Sequence, residues 1–244
     1  MHVPNQIADA LQHLYGLQVR SAHRLEGEVD HNYLLQTDRG PFLAKCTPPP
    51  ADTEAIDFQI ALMEHLAGRL EQIETPRVVR GLDGRNWYRL PDGQVLRLQT
   101  WVAGRMLAEV RPRTMALLEQ WGRVAGLLNA ALADFDYPYA HRAYRWDPSR
   151  TLNSRPLARF FRTDEERALA DWFWQLFERE AAPVLPRLRQ GVNYNDAHEH
   201  NLLVSGEVCH PRISGVIDFG DSLHTHTVNE LAIACAYACM GMAD

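Results

Sequence analysis

Apolar and polar residues alternate along the first part of the chain as they do in β-strands. The segments QVRSAHRL (18–25), NYLLQT (32–37) and PFLAKCT (41–47) are separated by EGEVDH and TDRG, in which glycine and aspartate supply turn residues. We therefore predict an antiparallel meander of three strands between Leu17 and Thr47.

A helix and further strands are predicted after the meander. Three consecutive prolines stop the third strand, and Asp52 or Thr53 can cap a helix that continues to about Leu70. Strand-like segments follow at 77–80, 86–90 and 94–102, joined by the turns LDG and PDG. The first hundred residues thus predict an α+β unit.

The remainder of the chain has helical spacing of its apolar residues. Helices are predicted over 112–135, 164–188 and 228–242, with an irregular connection at 136–156 and short strands at 201–204 and 213–217. We predict two domains, a strand-rich one at 1–102 and a mainly helical one at 103–244.

Composition narrows the class of protein. The net charge of -6 and the absence of a lysine- or arginine-rich tract argue against a nucleic-acid partner. The sequence contains neither an apolar run of membrane-spanning length nor a secretory signal. The four cysteines have no paired CxxC spacing. We expect a cytoplasmic protein without membrane contact.

One basic residue has an unusual identity. Of the 25 lysines and arginines, Lys45 is the only lysine. Its retention in a chain that otherwise uses arginine favours a functional role over chance.

Polar side chains lie beside two short apolar strands in the second half. Asp196 and Asn201 in NYNDAHEHNLLV are five residues apart, and Asp218 follows in VIDFGD. In phosphoryl transfer a carboxylate orients the acceptor hydroxyl, while an amide oxygen and a second carboxylate hold Mg²⁺. The order and spacing of these residues favour such a site.

These motifs resemble those of a known family. YNDAHEHNLLV and GVIDFGDSLHTHTVNELAIACAYA are similar to the aminoglycoside phosphotransferase and choline kinase group of protein-kinase-like enzymes, and most similar to its hydroxylysine kinase branch. The resemblance covers nearly the whole chain. It implies a two-lobe α+β fold with an antiparallel-sheet N-lobe, a helical C-lobe and a small catalytic hairpin.

The resemblance also implies roles for individual residues. Asp196 is the catalytic aspartate, Asn201 and Asp218 bind Mg²⁺, and Lys45 binds the phosphates of ATP or GTP. The nucleotide-binding positions are completed by a loop from Gly27 to Asn32 over the phosphates, a segment with Gln99 and Trp101 beside the base, and an acidic partner for Lys45, which is Asp57 or Glu54. The family's usual histidine two residues before the catalytic aspartate is replaced by Tyr194, which supports the loop.

The acceptor implied by the resemblance is a small amine-bearing alcohol such as hydroxylysine, an aminoglycoside, choline or ethanolamine. Its ammonium would meet acidic side chains, for which the candidates are Asp221, Glu199 and Glu230.

Two other functions remain open at this point. A metal-dependent hydrolase could use His198, His200, Cys209, His210, His224 and His226, since imidazole and thiolate bind zinc and iron. The spacing of these residues does not form a recognisable ligand set, and IDFG has no role in that scheme. A non-catalytic nucleotide-binding pseudokinase is the third alternative, although Lys45, Asp196, Asn201 and Asp218 are all present.

The last predicted helix is apolar on almost every side. VNELAIACAYACMGMAD has little polar surface, so the helix needs partners in several directions. We expect an apolar patch beside it, and a longer protein in which this chain is C-terminally incomplete and in some cases fused to an aminotransferase domain.

Overall fold

The computed structural model describes residues 4–207 and 210–240 as two compact units. The first unit comprises residues 1–104 together with 214–217, and the second comprises 105–213 and 218–244. Within the described residues, no helix combines the length and apolarity needed to span a membrane.

The first unit is built on one antiparallel sheet. Its elements are α1 (Asn5–Tyr15), β1 (Val19–Leu25), β2 (His31–Thr37), β3 (Gly40–Thr47), α2 (Thr53–Leu66), β4 (Val78–Val79), β5 (Trp87–Arg89) and β6 (Val95–Thr100). The strand order is β1-β2-β3-β6-β4, and β5 also pairs with β6. The predicted meander is confirmed.

The two faces of this sheet carry different kinds of residue. Ala44 and Cys46 on β3 belong to the apolar cluster that α1 covers with Ile7 and Leu11. Because side chains alternate along a strand, Lys45 points to the opposite face. One face of the sheet therefore belongs to the hydrophobic core, and the other carries a buried polar cluster.

Two helices of the first unit differ from the sequence prediction. Helix α1, which ends at Gly16 with φ 64°, was not predicted. Helix α2 ends at Leu66 rather than at about Leu70, and Gly68 follows with φ 81°. Its predicted cap is present, since the Asp52 side chain accepts a hydrogen bond from the Ala55 N–H at 3.1 Å.

The second unit is mainly helical. Its elements are β7 (Arg105–Met106), α3 (Met115–Ala131), α4 (Asp164–Leu176), β8 (Gln190–Asn193), β9 (Leu202–Ser205), β11 (Leu223–His226) and α5 (Val228–Cys239), together with the first two residues of β10 (Arg212–Val216), whose remainder belongs to the first unit. The strands form sheets in the orders β10-β9-β7 and β11-β8. The strands predicted at 201–204 and 213–217 are confirmed as β9 and β10, each shifted by one residue, while β7, β8 and β11 were not predicted.

Helix α4 is shorter than the predicted helix over 164–188. The α-helical hydrogen bonding stops at Leu176, and a π turn at Phe177–Ala181 and a 3-10 turn at Leu185–Arg187 follow. Pro183 and Pro186 explain the break, because proline lacks an N–H and clashes with the preceding turn. A capping box formed by Thr163 and Glu166 fixes the beginning of α4.

Helix α5 has an exposed apolar face. The exposed positions recur every three or four residues and are Leu231, Ala232, Cys235, Ala236, Cys239 and Met240. Leu231 and Met240 expose 52% and 61% of their surface. The expected patch beside the last helix is present within the described residues, while 241–242 of the predicted helix lie outside them.

Candidate functional site

Asp196 and Asn201 lie in the loop between β8 and β9. The Asn201 side-chain amide donates to Asp196 Oδ2 at 2.6 Å and to the Asp196 carbonyl oxygen at 3.3 Å. A separation of five residues thus closes a single loop in which a carboxylate and an amide face each other.

The backbone of this loop is held by buried side chains. Asn195 has a φ of 65°, and its N–H donates to Glu230 Oε2 at 2.8 Å. The Trp121 indole on α3 donates to the Ala197 carbonyl oxygen at 2.7 Å. Left-handed backbone at an asparagine is sparsely populated, so these contacts stabilise a conformation that the sequence alone would not maintain.

Asp218 lies in a second loop that packs against the first. It also has a positive φ, of 59°. The next residue, Phe219, is buried and packs edge-to-face on Tyr194 with 5.2 Å between ring centroids. The Ser222 hydroxyl donates to the Tyr194 carbonyl oxygen at 3.2 Å. Tyr194 therefore connects the two functional loops, in agreement with the supporting role expected for it.

The carboxylates of the two loops influence one another. Burial raises the pKa of Asp196 above its usual range, and the charge of Asp218 adds to this, while His198 and Asn201 oppose it. Burial likewise raises the pKa of Asp221, and the charges of Asp196 and Asp218 act in the same direction. Like charges held this close favour a bound cation.

The available donors fit Mg²⁺. The Asn201 amide and the Asp218 carboxylate offer oxygen atoms, which this hard cation prefers, and the surrounding negative charge suits a divalent ion. Mg²⁺ keeps several waters and binds through one or two carboxylates and the substrate phosphates, so a small protein ligand set is sufficient.

The three candidate acceptor residues occupy different environments. The Asp221 carboxylate accepts a hydrogen bond from the Tyr144 hydroxyl. Glu199 lies 3.3 Å from Arg113 in an ion pair that is largely buried. Glu230 is fully buried beneath the loop that carries Asp196. All three stay candidates for the acceptor ammonium, and Glu230 also fixes the loop through the Asn195 N–H.

In the first unit, Lys45 is accompanied by a carboxylate that the sequence analysis did not identify. Asp30 Oδ2 lies 3.3 Å from Lys45 Nζ. Asp57 accepts a hydrogen bond from the Trp87 indole at 2.8 Å, and Glu54 is exposed in the first turn of α2. Asp30 belongs to the loop that precedes β2, a position that no spacing rule singles out.

The predicted phosphate loop is tightly folded. The Asn32 side-chain amide donates to the Glu26 carbonyl oxygen at 3.4 Å. A Cβ atom at Gly27 would lie 2.4 Å from Asn32 Nδ2 and 2.7 Å from the Asp30 carbonyl oxygen. Glycine is therefore required at this position by close approach.

The residues predicted to lie beside the base come from the end of β6. Gln99 is buried and stands opposite Leu43 on β3 and Val78 on β4. Trp101 is half-buried immediately after the strand. The sheet therefore fixes the backbone of this segment.

The histidines of the metal-hydrolase alternative are dispersed. His198 accepts from the His200 N–H at 3.1 Å, His224 stacks on His141, and His226 hydrogen-bonds Ser149. Across residues 4–207 and 210–240, no three His, Cys, Asp or Glu side chains converge on a possible metal position. Cys209 lies outside the described residues. His198, His224 and His226 thus have packing or hydrogen-bonding roles, and the metal-hydrolase alternative gains no support.

Comparison with known proteins identifies the family. The model of a phosphotransferase enzyme family, APH, matches residues 21–242. The chain belongs to this family. The resemblance stated from the sequence motifs is thereby confirmed.

Two relatives and one solved structure extend this comparison. The chain is 31% identical to a hydroxylysine kinase of Mus musculus over 153 residues, which are 59% of this chain and 40% of the relative. It is 32% identical to a homoserine kinase of Brucella ovis over 200 residues, 80% of this chain and 56% of the relative. The chain thus spans about half the length of these relatives.

The solved structure shows the fold. The solved structure is that of an amicoumacin kinase, determined with AMP-PNP, Ca²⁺ and Ami. Its match with this APH-family chain covers 100% of this chain and 72% of the kinase chain, with a TM-score of 0.71 at 14% identity. The predicted protein-kinase-like α+β fold is confirmed.

Proposed function

We propose that this APH-family chain transfers the γ-phosphoryl group of ATP or GTP to the hydroxyl group of a small amino alcohol. The observation that carries the proposal is the contact between Asp196 and Asn201, 2.6 Å apart within one loop, with the charge of Asp218 acting on the same carboxylate. Family membership and the kinase relatives support it.

In this proposal Asp196 orients the acceptor hydroxyl and accepts its proton as the oxygen attacks the γ-phosphorus. Burial and the neighbouring Asp218 raise its pKa, which makes it a better proton acceptor than an exposed aspartate. Because transfer is largely a matter of positioning and charge stabilisation, the fixed loop is as important as the carboxylate itself.

Asn201 and Asp218 would hold Mg²⁺, which offsets the phosphate charge when bound. Lys45 in the first unit would bind phosphate oxygens, and the loop from Gly27 to Asn32 would cover them. Gln99 and Trp101 would contact the base.

The acceptor class follows from the charge of the second unit. The charge of Asp218 acts on both Asp196 and Asp221, and this concentration of negative charge favours an acceptor that carries an ammonium group. Hydroxylysine and homoserine both satisfy this requirement.

The free thiols of Cys46, Cys235 and Cys239 are consistent with the reducing cytoplasm.

The test is a matrix of ATP and GTP against hydroxylysine, homoserine, ethanolamine, choline and an aminoglycoside, with nucleoside diphosphate release as the readout. We expect release above the acceptor-free background for at least one amino alcohol and only with Mg²⁺ present. A folded protein that releases no diphosphate with any pair would contradict the proposal.

A further inference from the structure

Lys45 lies among buried polar side chains of the first unit. The register of the sheet places it opposite Arg97 on β6 and opposite Asn32 on β2. The side chains of Lys45 and Arg97 expose only 9% and 3% of their surface. Two cations directly opposite each other on neighbouring strands repel, so this pair needs an anion between them.

Asp30 supplies that anion. Its Oδ2 lies 2.7 Å from Arg97 Nη2 and 3.3 Å from Lys45 Nζ. The Thr47 hydroxyl donates to Asp30 Oδ1 at 2.6 Å, and Arg97 Nη1 donates to Thr47 Oγ1 at 2.7 Å. Asp30, Thr47 and Arg97 thus form a closed ring of short contacts. The contact of Asp30 with Lys45 is longer than these three, so it is the one that exchanges most easily.

The charge state of Asp30 is consistent with this role. Burial raises its pKa, but Arg97, Lys45 and the Thr47 hydroxyl together outweigh burial and hold the pKa below the usual range. The group is therefore an anion at neutral pH, and charge-assisted contacts of this kind are stronger than neutral ones.

Asp30 is also part of the loop proposed to cover the nucleotide phosphates. It closes the segment 26–30, which is folded so tightly that a Cβ atom added at Gly27 would lie within 3 Å of Asn32 and of the Asp30 carbonyl oxygen. A movement of this segment therefore changes the position of the carboxylate that contacts Lys45.

We propose that Asp30, held in place by Arg97 and Thr47, positions the Lys45 ammonium for the nucleotide phosphates and couples the 26–30 loop to that lysine. The inference rests on the proposed function, in which Lys45 binds phosphate. Asp30 acts here as a positioning residue. Its fixed carboxylate restricts a flexible four-carbon side chain before the nucleotide arrives, so less side-chain entropy is lost on binding.

A spectroscopic experiment isolates the contact. Because Lys45 is the only lysine in the sequence, protein made with ¹³C-labelled lysine gives a single lysine Cε–Hε correlation. In the full chain without nucleotide, we expect Asp30→Asn to shift this correlation. The matched control is Asp38→Asn, which removes an exposed charge from the same unit and should leave the correlation in place. An unshifted correlation in Asp30→Asn would overturn the inference.

Nucleotide binding tests the consequence. The Kd of Mg-ATP and Mg-GTP, measured by calorimetry, should rise about tenfold in Asp30→Asn, while the acceptor KM at saturating nucleotide should stay within about twofold. Asp30→Glu should recover part of the affinity, and Asp38→Asn should bind as the wild type does. A wild-type protein that binds neither nucleotide contradicts the proposed function, whereas unchanged binding by Asp30→Asn contradicts only this inference.

Thr47→Val keeps the experiment informative if Asp30→Asn does not fold. This change removes one contact that fixes Asp30 and leaves both charges of the ion pair. We expect the lysine correlation to shift in the same direction as in Asp30→Asn, and the nucleotide Kd to rise about threefold. A folded Thr47→Val protein with neither change would also overturn the inference.

Discussion

At the scale of single residues, the two functional loops depend on backbone conformations that side chains elsewhere maintain. Asn195 and Asp218 have φ angles of 65° and 59°, in a region that costs on the order of 1–3 kcal/mol for a non-glycine residue. Glu230, Trp121 and Phe219 provide the compensating contacts. The motif spacing singles out Asp196, Asn201 and Asp218 as candidates, but it could not predict these supporting residues, because they come from distant parts of the chain.

Glu230 should make the stability of the protein depend on pH. Burial raises its pKa from 4.5 to about 7 in the folded state. The unfolded chain releases the proton near pH 4.5 while the folded protein still holds it, so the free energy of unfolding falls as pH rises from about 5 to 7. Glu230→Gln keeps a hydrogen-bond acceptor for the Asn195 N–H and removes this effect.

We therefore expect Glu230→Gln to be more stable than the wild type at pH 8, by on the order of 3 kcal/mol at most, and the difference to shrink towards pH 5. Denaturant unfolding at both pH values measures it, with the exposed Glu71→Gln as control. An equal pH dependence in the wild type and Glu230→Gln would contradict the role assigned to this carboxyl group.

Lys45→Arg should not preserve activity although it preserves charge. The planar guanidinium is larger than an ammonium, and at this position it would stand opposite Arg97 within a buried cluster. We expect kcat/KM to fall by about a hundredfold or more, corresponding to roughly 3 kcal/mol. Steady-state kinetics with nucleotide varied is the measurement, and activity within a few-fold of the wild type would show that the lysine is not required.

At the scale of elements, the periodicity of apolar residues predicts strands and helices within a segment, but it does not predict contacts between distant segments. The β1–β3 meander and α2 follow from alternation and a capping aspartate. Helix α1 was overlooked although Ile7, Leu11 and Tyr15 recur at helical spacing before Gly16, whereas the two-residue β7 has no comparable signal. The helix predicted over 164–188 was longer than the observed α4, because the apolar spacing continues through Phe177. The prolines at 183 and 186 exclude a regular helix over this range. The contact of Asp30 with Lys45 was missed because it depends on how a loop folds over the sheet.

The 26–30 loop should tolerate no side chain at Gly27. Gly27→Ala would force Asn32 or the Asp30 backbone to move, since the added Cβ lies within 3 Å of both. We expect the nucleotide KM to rise about tenfold with little change in the acceptor KM.

Gly122→Ala is the matched control for that change. Gly122 lies inside α3, and an added Cβ meets nothing within 4 Å. Alanine there should leave both KM values unchanged and raise stability by up to about 1 kcal/mol through helix propensity. Equal kinetics for Gly27→Ala and Gly122→Ala would remove the loop from the nucleotide site.

At the scale of the whole molecule, the exposed face of α5 should make the chain associate. Leu231, Cys235 and Met240 lie on this face together with three alanine or cysteine side chains, and apolar patches of this kind are uncommon on soluble monomers. We expect the weight-average mass in sedimentation to rise with protein concentration under reducing conditions.

Leu231→Gln with Met240→Gln should lower that association without lowering the melting temperature, because neither side chain is buried. Arg162→Gln, a change at an exposed residue away from α5, is the control. A wild-type protein that stays monomeric throughout the concentration range would contradict the expectation. The fusion to an aminotransferase domain stays a prediction.

The most direct test of the central claim is the turnover of Asp196→Asn. The amide can keep the contact with Asn201 but cannot accept the acceptor proton, so kcat should fall by about three orders of magnitude while the Kd of the Mg-nucleotide changes by less than about threefold. Single-turnover phosphoryl transfer to the best acceptor, alongside calorimetric nucleotide binding, measures both. Turnover equal to that of the wild type would contradict the assignment of Asp196 and the mechanism built on it.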